Sequence, residues 1–75
     1  MIVPEKIWKD PALETVDKLI IGKLLEDPSA APEDVAKELQ CTRKLINQRM
    51  NKLSKSGRIV VITTQGVTRR EVQHG

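Results

Sequence analysis

A mainly α-helical domain closed by a small β-hairpin is the fold this sequence predicts, and three observations lead to it. Apolar residues recur at spacings of three and four through three successive segments, as on the buried side of a helix. The composition then turns β-branched in Ile59-Val60-Val61-Ile62-Thr63, with a second strand-like run beyond a glycine. Proline, threonine and glycine stand at the joints, each at a helix end or turn that suits its chemistry.

Residues 1–12 read as an extension, with Pro4 and Pro11 near its ends and Ile2, Val3, Ile7 and Trp8 as its apolar content. Prolines at both ends argue against one continuous helix through it. The first helix is expected over about 14–27, where Leu13, Val16, Ile20 and Leu24 form a stripe with Ile21 beside it. Pro28 stops it. A second helix spans 32–39, with Pro32 at a favoured first position and Glu33 and Asp34 at its positive end. It buries Val35, Ala36 and Leu39. Gln40-Cys41-Thr42 is a short turn, and Thr42 is a good N-cap for a third helix over 43–55. Ile46, Met50 and Leu53 are the apolar positions of that helix, and Gly57 after Ser56 takes a left-handed cap conformation. Residues 58–63 and 67–72 then make a hairpin around Thr64-Gln65-Gly66.

A chain this short makes one domain with a marginal core. The single Cys41 excludes an internal disulfide, and one histidine, His74, leaves no Cys/His set for structural zinc. One unpaired cysteine suits a reducing cytoplasm. The first residues lack the basic start and apolar run of a signal peptide, and the longest apolar cluster, 19–25, is too short to span a bilayer. Without tyrosine, a Gly-rich phosphate loop or a histidine inside the predicted fold, no nucleophile–base pair can be assembled. The acids occupy exposed helical positions. Neither enzymatic activity nor a cofactor is expected.

Charge divides between Cys41 and Thr42. Residues 1–41 carry nine acids against five bases, a net of −4, and residues 42–75 carry eight bases against Glu71 alone, a net of +7. The whole-chain charge of +3 conceals this. A basic segment joined to an acidic one suggests a surface for a polyanion, nucleic acid first.

Two short helices joined by a tight turn, the second capped and basic, describe a helix-turn-helix, and the hairpin makes it winged. At about 100° per residue, Ile46, Met50 and Leu53 fall on one side of the third helix. The opposite side presents Lys44, Asn47, Gln48, Asn51 and Lys55, with Lys52 and Leu45 at one edge and no acid. Asn and Gln bond bidentately to adenine edges in the major groove, while Lys and Arg reach guanine or phosphate. Thr42 and Arg43, at the helix N-terminus, can meet a phosphate through free backbone N–H groups. Arg58 at the base of the hairpin, and Arg69 and Arg70 near its tip, complete a wing placed to touch the DNA backbone or minor groove.

The run from Leu13 to Asp27 resembles the opening helix of AsnC/Lrp-type transcription regulators, whose pattern reads Leu-Asp-x-Ile-Asp-x-x-Ile-Leu-x-x-Leu-x-x-Asp. The likeness continues without a gap through Val35-Ala36-Lys37-Glu38-Leu39, Thr42, Arg49, Leu53, Gly57 and Ile59. It covers about residues 13–62, the DNA-binding half of that family, and implies a third helix that enters the major groove. Three departures stand out. Residues 1–75 hold no counterpart of the family's ligand-sensing and oligomerising domain. Gln40 replaces the small residue usual in the turn, which implies strain, and Ala31 replaces a common capping serine, which implies fraying. The hairpin is also longer than that family's, which leans toward a general winged helix.

Other residues carry quieter roles. Arg49 lies near the buried side and is expected to pair with Asp17 or another acid of the first helix. Leu45 packs against a helix edge and Cys41 packs as a small residue in the turn. Trp8, the only aromatic, is expected to be buried, either clamping the extension onto the core or as half of a dimer contact. Gly22 falls opposite the main apolar stripe, where a close approach by the extension would explain it. His74 reads as tail. The sequence thus predicts an extension, 1–12, and a winged helix-turn-helix domain, 13–75, that binds double-stranded DNA as a cytoplasmic transcription regulator. A homodimer contact is placed in the extension. The rival readings are a protein-interaction winged helix, working through Leu45, Trp8 and the acidic half, and an RNA-binding one.

Overall fold

The computed structural model describes residues 1–73, so the reading of His74 as tail lies outside the described residues. Helices α1 (Glu5–Trp8), α2 (Thr15–Glu26), α3 (Pro32–Leu39) and α4 (Arg43–Lys55) precede strands β1 (Ile59–Thr64) and β2 (Val67–Val72). The three longer helices form the core and the antiparallel hairpin is the wing. This is the winged helix-turn-helix architecture, and α2, α3 and α4 are the three helices read from periodicity.

Local chemistry sets each boundary. Glu14 caps α2 in a reciprocal box, its side chain accepting from the Asp17 amide while Asp17 Oδ2 accepts from the Glu14 amide at 3.0 Å. Pro32 opens α3, and Ala31 stands at its N-cap with extended backbone and no side-chain bond. At the other end Gln40 sits in the left-handed region, φ 56°, so that the Cys41 N–H reaches the Ala36 carbonyl at 2.9 Å. A residue with a Cβ pays for that conformation, which is the strain expected of Gln40. The same closure ends α4, where Gly57 (φ 77°) lets the Arg58 N–H bond the Leu53 carbonyl.

The core draws Ile20, Ile21 and Leu24 from α2, Val35 and Ala36 from α3, and Ile46, Met50 and Leu53 from α4, closed by Ile59 of β1. Leu13 is buried with them, while Val16 and Leu39 are partly buried at the margin. The extension joins this core. Between its prolines it makes the single turn α1, which buries Ile7, and Val3 packs alongside. A Cβ built on Gly22 would lie 2.8 Å from Val3 Cγ2, so glycine is what lets the extension lie on α2.

Two expectations are corrected. Within the single chain Trp8 is not buried against the core but 51% exposed, because a one-turn helix has a single inward position and Ile7 occupies it. Its ring instead carries the Lys18 ammonium, 5.4 Å from the centroid. The helical acids are not all exposed either. Asp17 is 1% exposed, the one charged residue buried among those described. No helix among the described residues is long and apolar enough to cross a membrane.

In the hairpin, Ile59 pairs with Val72, Val61 with Arg70 and Thr63 with Thr68, while Val60, Ile62 and Thr64 pair with Glu71, Arg69 and Val67. Gln65 and Gly66, both with positive φ, make the two-residue turn whose twist suits such a hairpin.

Candidate nucleic-acid interface

Helix α4 is fixed from below. Arg49 Nε donates to Asp17 Oδ1 at 2.8 Å and Nη2 to Asp17 Oδ2 at 2.7 Å, a two-pronged charge-assisted pair, and Nη1 lies 3.1 Å from Glu14 Oε2. Burial pushes the Asp17 carboxyl up, but the guanidinium and the Glu14 amide outweigh it and hold it below the usual carboxylate range. The hydrogen bond to Asp17 in turn holds Arg49 protonated beyond its ordinary range. Arg49 therefore belongs to the scaffold, as its helical phase implies.

With Ile46, Met50 and Leu53 inward, Lys44, Gln48, Asn51 and Lys55 lie within about 60° of one another on the far side of α4. All four are exposed. Lys52 flanks them, also exposed, and Leu45 is 38% exposed at the same edge rather than packed away. Asn47 departs from this group. It sits about 70° from the centre of the stripe and is half-buried, at the rim of the face rather than on it. Among the described residues Arg43, Lys44, Lys52, Lys55 and Arg70 make no ion pair.

Thr42 works as the cap, its Oγ1 accepting the Leu45 N–H at 3.1 Å. The amides of Arg43 and Lys44 are left without a partner among the described residues, at the positive end of α4.

The remaining arginines are less alike than their sequence suggests. Arg58 Nη1 lies 2.6 Å from Asp10 Oδ2 and is two-thirds covered, so its charge is engaged by the extension. That hydrogen bond, with one from the Ala12 amide, lowers the Asp10 carboxyl below its ordinary range. Arg58 still shares an open cleft of about 500 Å³ with Lys52, Lys55, Arg49 and Asp17 at the end of α4. Arg69 and Arg70 are neighbours in β2 and therefore point to opposite faces of the wing. Arg69 shares its face with Glu71, 3.5 Å away, and with Ile62. Arg70 shares the other with Val61, and its backbone N–H bonds the Pro28 carbonyl at 2.8 Å. One duplex lying along one face would meet only one of them.

Asp10 was not among the residues singled out from the sequence. An acid in an extension pairing with an arginine 48 positions later leaves no local signal. No group of three or more His, Cys, Asp or Glu side chains among the described residues is placed to hold a metal ion. Compared with known proteins, the chain matches no family model, no curated protein and no solved structure.

Proposed function

We propose that this chain binds duplex DNA in the cytoplasm as a transcription regulator, with α4 in the major groove, in the manner of the AsnC/Lrp-type domains that its sequence resembles. The observation that carries this reading is the exposed, acid-free stripe Lys44–Gln48–Asn51–Lys55, set on a helix whose opposite side is locked to the core. Gln48 and Asn51 supply the amides that read adenine edges, with Asn47 reaching in from the rim, and Lys44 reaches guanine or phosphate. Lys52, Lys55 and Arg43 hold the backbone, together with the free amides at the start of α4 below Thr42. The wing adds Arg69 or Arg70, whichever stands on the face that meets the duplex, and Arg58 contributes only where Asp10 releases it. A helix of this kind fits the wide major groove of DNA, and the deep, narrow one of duplex RNA excludes it. A lone domain spans few base pairs, which argues for two copies on paired half-sites.

Fluorescence anisotropy with duplex DNA, duplex RNA and a salt series tests the reading. Affinity for DNA is expected to fall log-linearly with salt, at a slope of about −0.9 per phosphate contacted. A Lys44→Ala/Gln48→Ala variant is expected to bind about tenfold or more weakly, the loss of one or two groove contacts. Wild-type affinity in that variant removes α4 from the interface, and equal affinity for duplex RNA removes DNA as the partner.

A further inference from the structure

We infer that β1 is a self-pairing edge, through which two copies of this chain form a closed, two-fold dimer with a continuous four-stranded sheet. The Gln73 N–H donates to the Arg58 carbonyl at 2.9 Å, which fixes the alternation of the ladder. Residues 60, 62 and 64 then bond across to β2, and the N–H and C=O groups of Ile59, Val61 and Thr63 point away from it. None of these outward groups has a partner among the described residues; Ile59 is 1% exposed, its backbone included, so the open part of the edge is Val61 and Thr63.

Protein edges of this kind are usually guarded by a charge, a proline, a bulge or a covering segment. Residues 59–64, Ile-Val-Val-Ile-Thr-Thr, contain no charge and no proline, and they pair with β2 residue for residue without a bulge. The other edge is different. It carries Arg69, Arg70 and Glu71, and the Pro28 carbonyl already caps it at the Arg70 amide. One open edge per chain closes at two copies and builds no fibre.

The strand also suits a copy of itself. Antiparallel pairing about Ile62 sets Ile62 opposite Ile62, Val61 opposite Thr63 and Val60 opposite Thr64, all β-branched pairs of the kind that stabilise sheets, and leaves the covered Ile59 outside the ladder. Val60 and Val61 are 41% and 49% exposed, so the pairing covers apolar surface that the monomer leaves in water. Like charges are kept apart. The two β2 strands would lie three strand spacings from each other, about 14 Å, beyond the roughly 8 Å over which exposed charges interact at physiological salt. A two-stranded hairpin is marginal on its own, and two more strands strengthen it.

The proposal stands on the strand and not on DNA binding, so it is tested without DNA. Sedimentation equilibrium from roughly micromolar to millimolar protein, the range for a small interface, is expected to show concentration-dependent doubling of the 8.4 kDa chain and nothing larger. Val61→Lys, which sets two like charges diagonally across the axis on one face, is expected to remain monomeric with unchanged helical circular dichroism. Amide hydrogen exchange on the wild-type chain needs no variant. The outward amides of Val61 and Thr63 are expected to gain protection as concentration rises. A chain monomeric throughout, unprotected amides at those positions, open-ended assembly, or a dimer that survives Val61→Lys and is lost on Trp8→Ala each overturns it.

Discussion

Asp17 makes two kinds of bond at once: it caps the first turn of α2 and grips Arg49 of α4. Removing the guanidinium leaves a carboxylate 1% exposed without its counter-charge, a change that costs about 3 kcal/mol. A domain of this size holds roughly 5 kcal/mol in total. Arg49→Ala is therefore expected to shift urea unfolding by most of the available stability. DNA affinity, corrected for the folded fraction, should fall only by the ordering of α4 that the clasp no longer supplies, since Arg49 itself faces the core. Because the folded carboxyl titrates below its ordinary 3.8, this contribution is complete above about pH 4 and is lost as pH falls through the folded value. Thermal unfolding followed across that range should show the wild-type midpoint dropping below pH 4, with a shallower drop in Arg49→Ala. Helical phase alone was enough to expect this pair. It was not enough to expect how deeply Asp17 is buried, since the spacing of one helix does not say how closely another lies over it.

The elements themselves were largely legible. Proline, threonine and glycine mark the ends of α3, α4 and the hairpin loop, and the apolar spacing gives the inward faces of all three long helices. What escaped was α1, because one helical turn between two prolines has no period to detect. Trp8 was misplaced for the same reason: with a single inward slot, Ile7 fills it. The outward stripe of α4 was legible as well, apart from Asn47, whose angle puts it at the rim. On α2, Gly22 is the position where two effects compete. Alanine is favoured over glycine in a helix by about 1 kcal/mol. Here its Cβ would meet Val3 at 2.8 Å and displace the segment before α1. Gly22→Ala is expected to give less than that gain, or a loss, while Gly22→Ala added to Val3→Ala should recover it. A double-mutant cycle by chemical denaturation reads this coupling directly, and additive effects would mean that the extension does not lean on α2.

At the scale of the whole molecule, the division at residue 12 reads differently from sequence and from structure. Composition separates an extension from a domain, yet Ile7 is part of the core, Val3 lies on α2, and Asp10 holds Arg58 at 2.6 Å. A chain of residues 13–75 is expected to unfold several degrees lower and less cooperatively than the full chain, as differential scanning calorimetry would show. Contacts between ends of the chain have no local pattern, which is why this dependence was not visible beforehand. The Asp17–Arg49 clasp has a consequence of another kind. Turning α4 about its own axis would break both charge-assisted bonds to Asp17 and the contact with Glu14 together, so the outward stripe is held at one orientation before any ligand arrives. Little freedom then remains for this helix to surrender on association, and that part of the entropic penalty is met during folding rather than at the encounter.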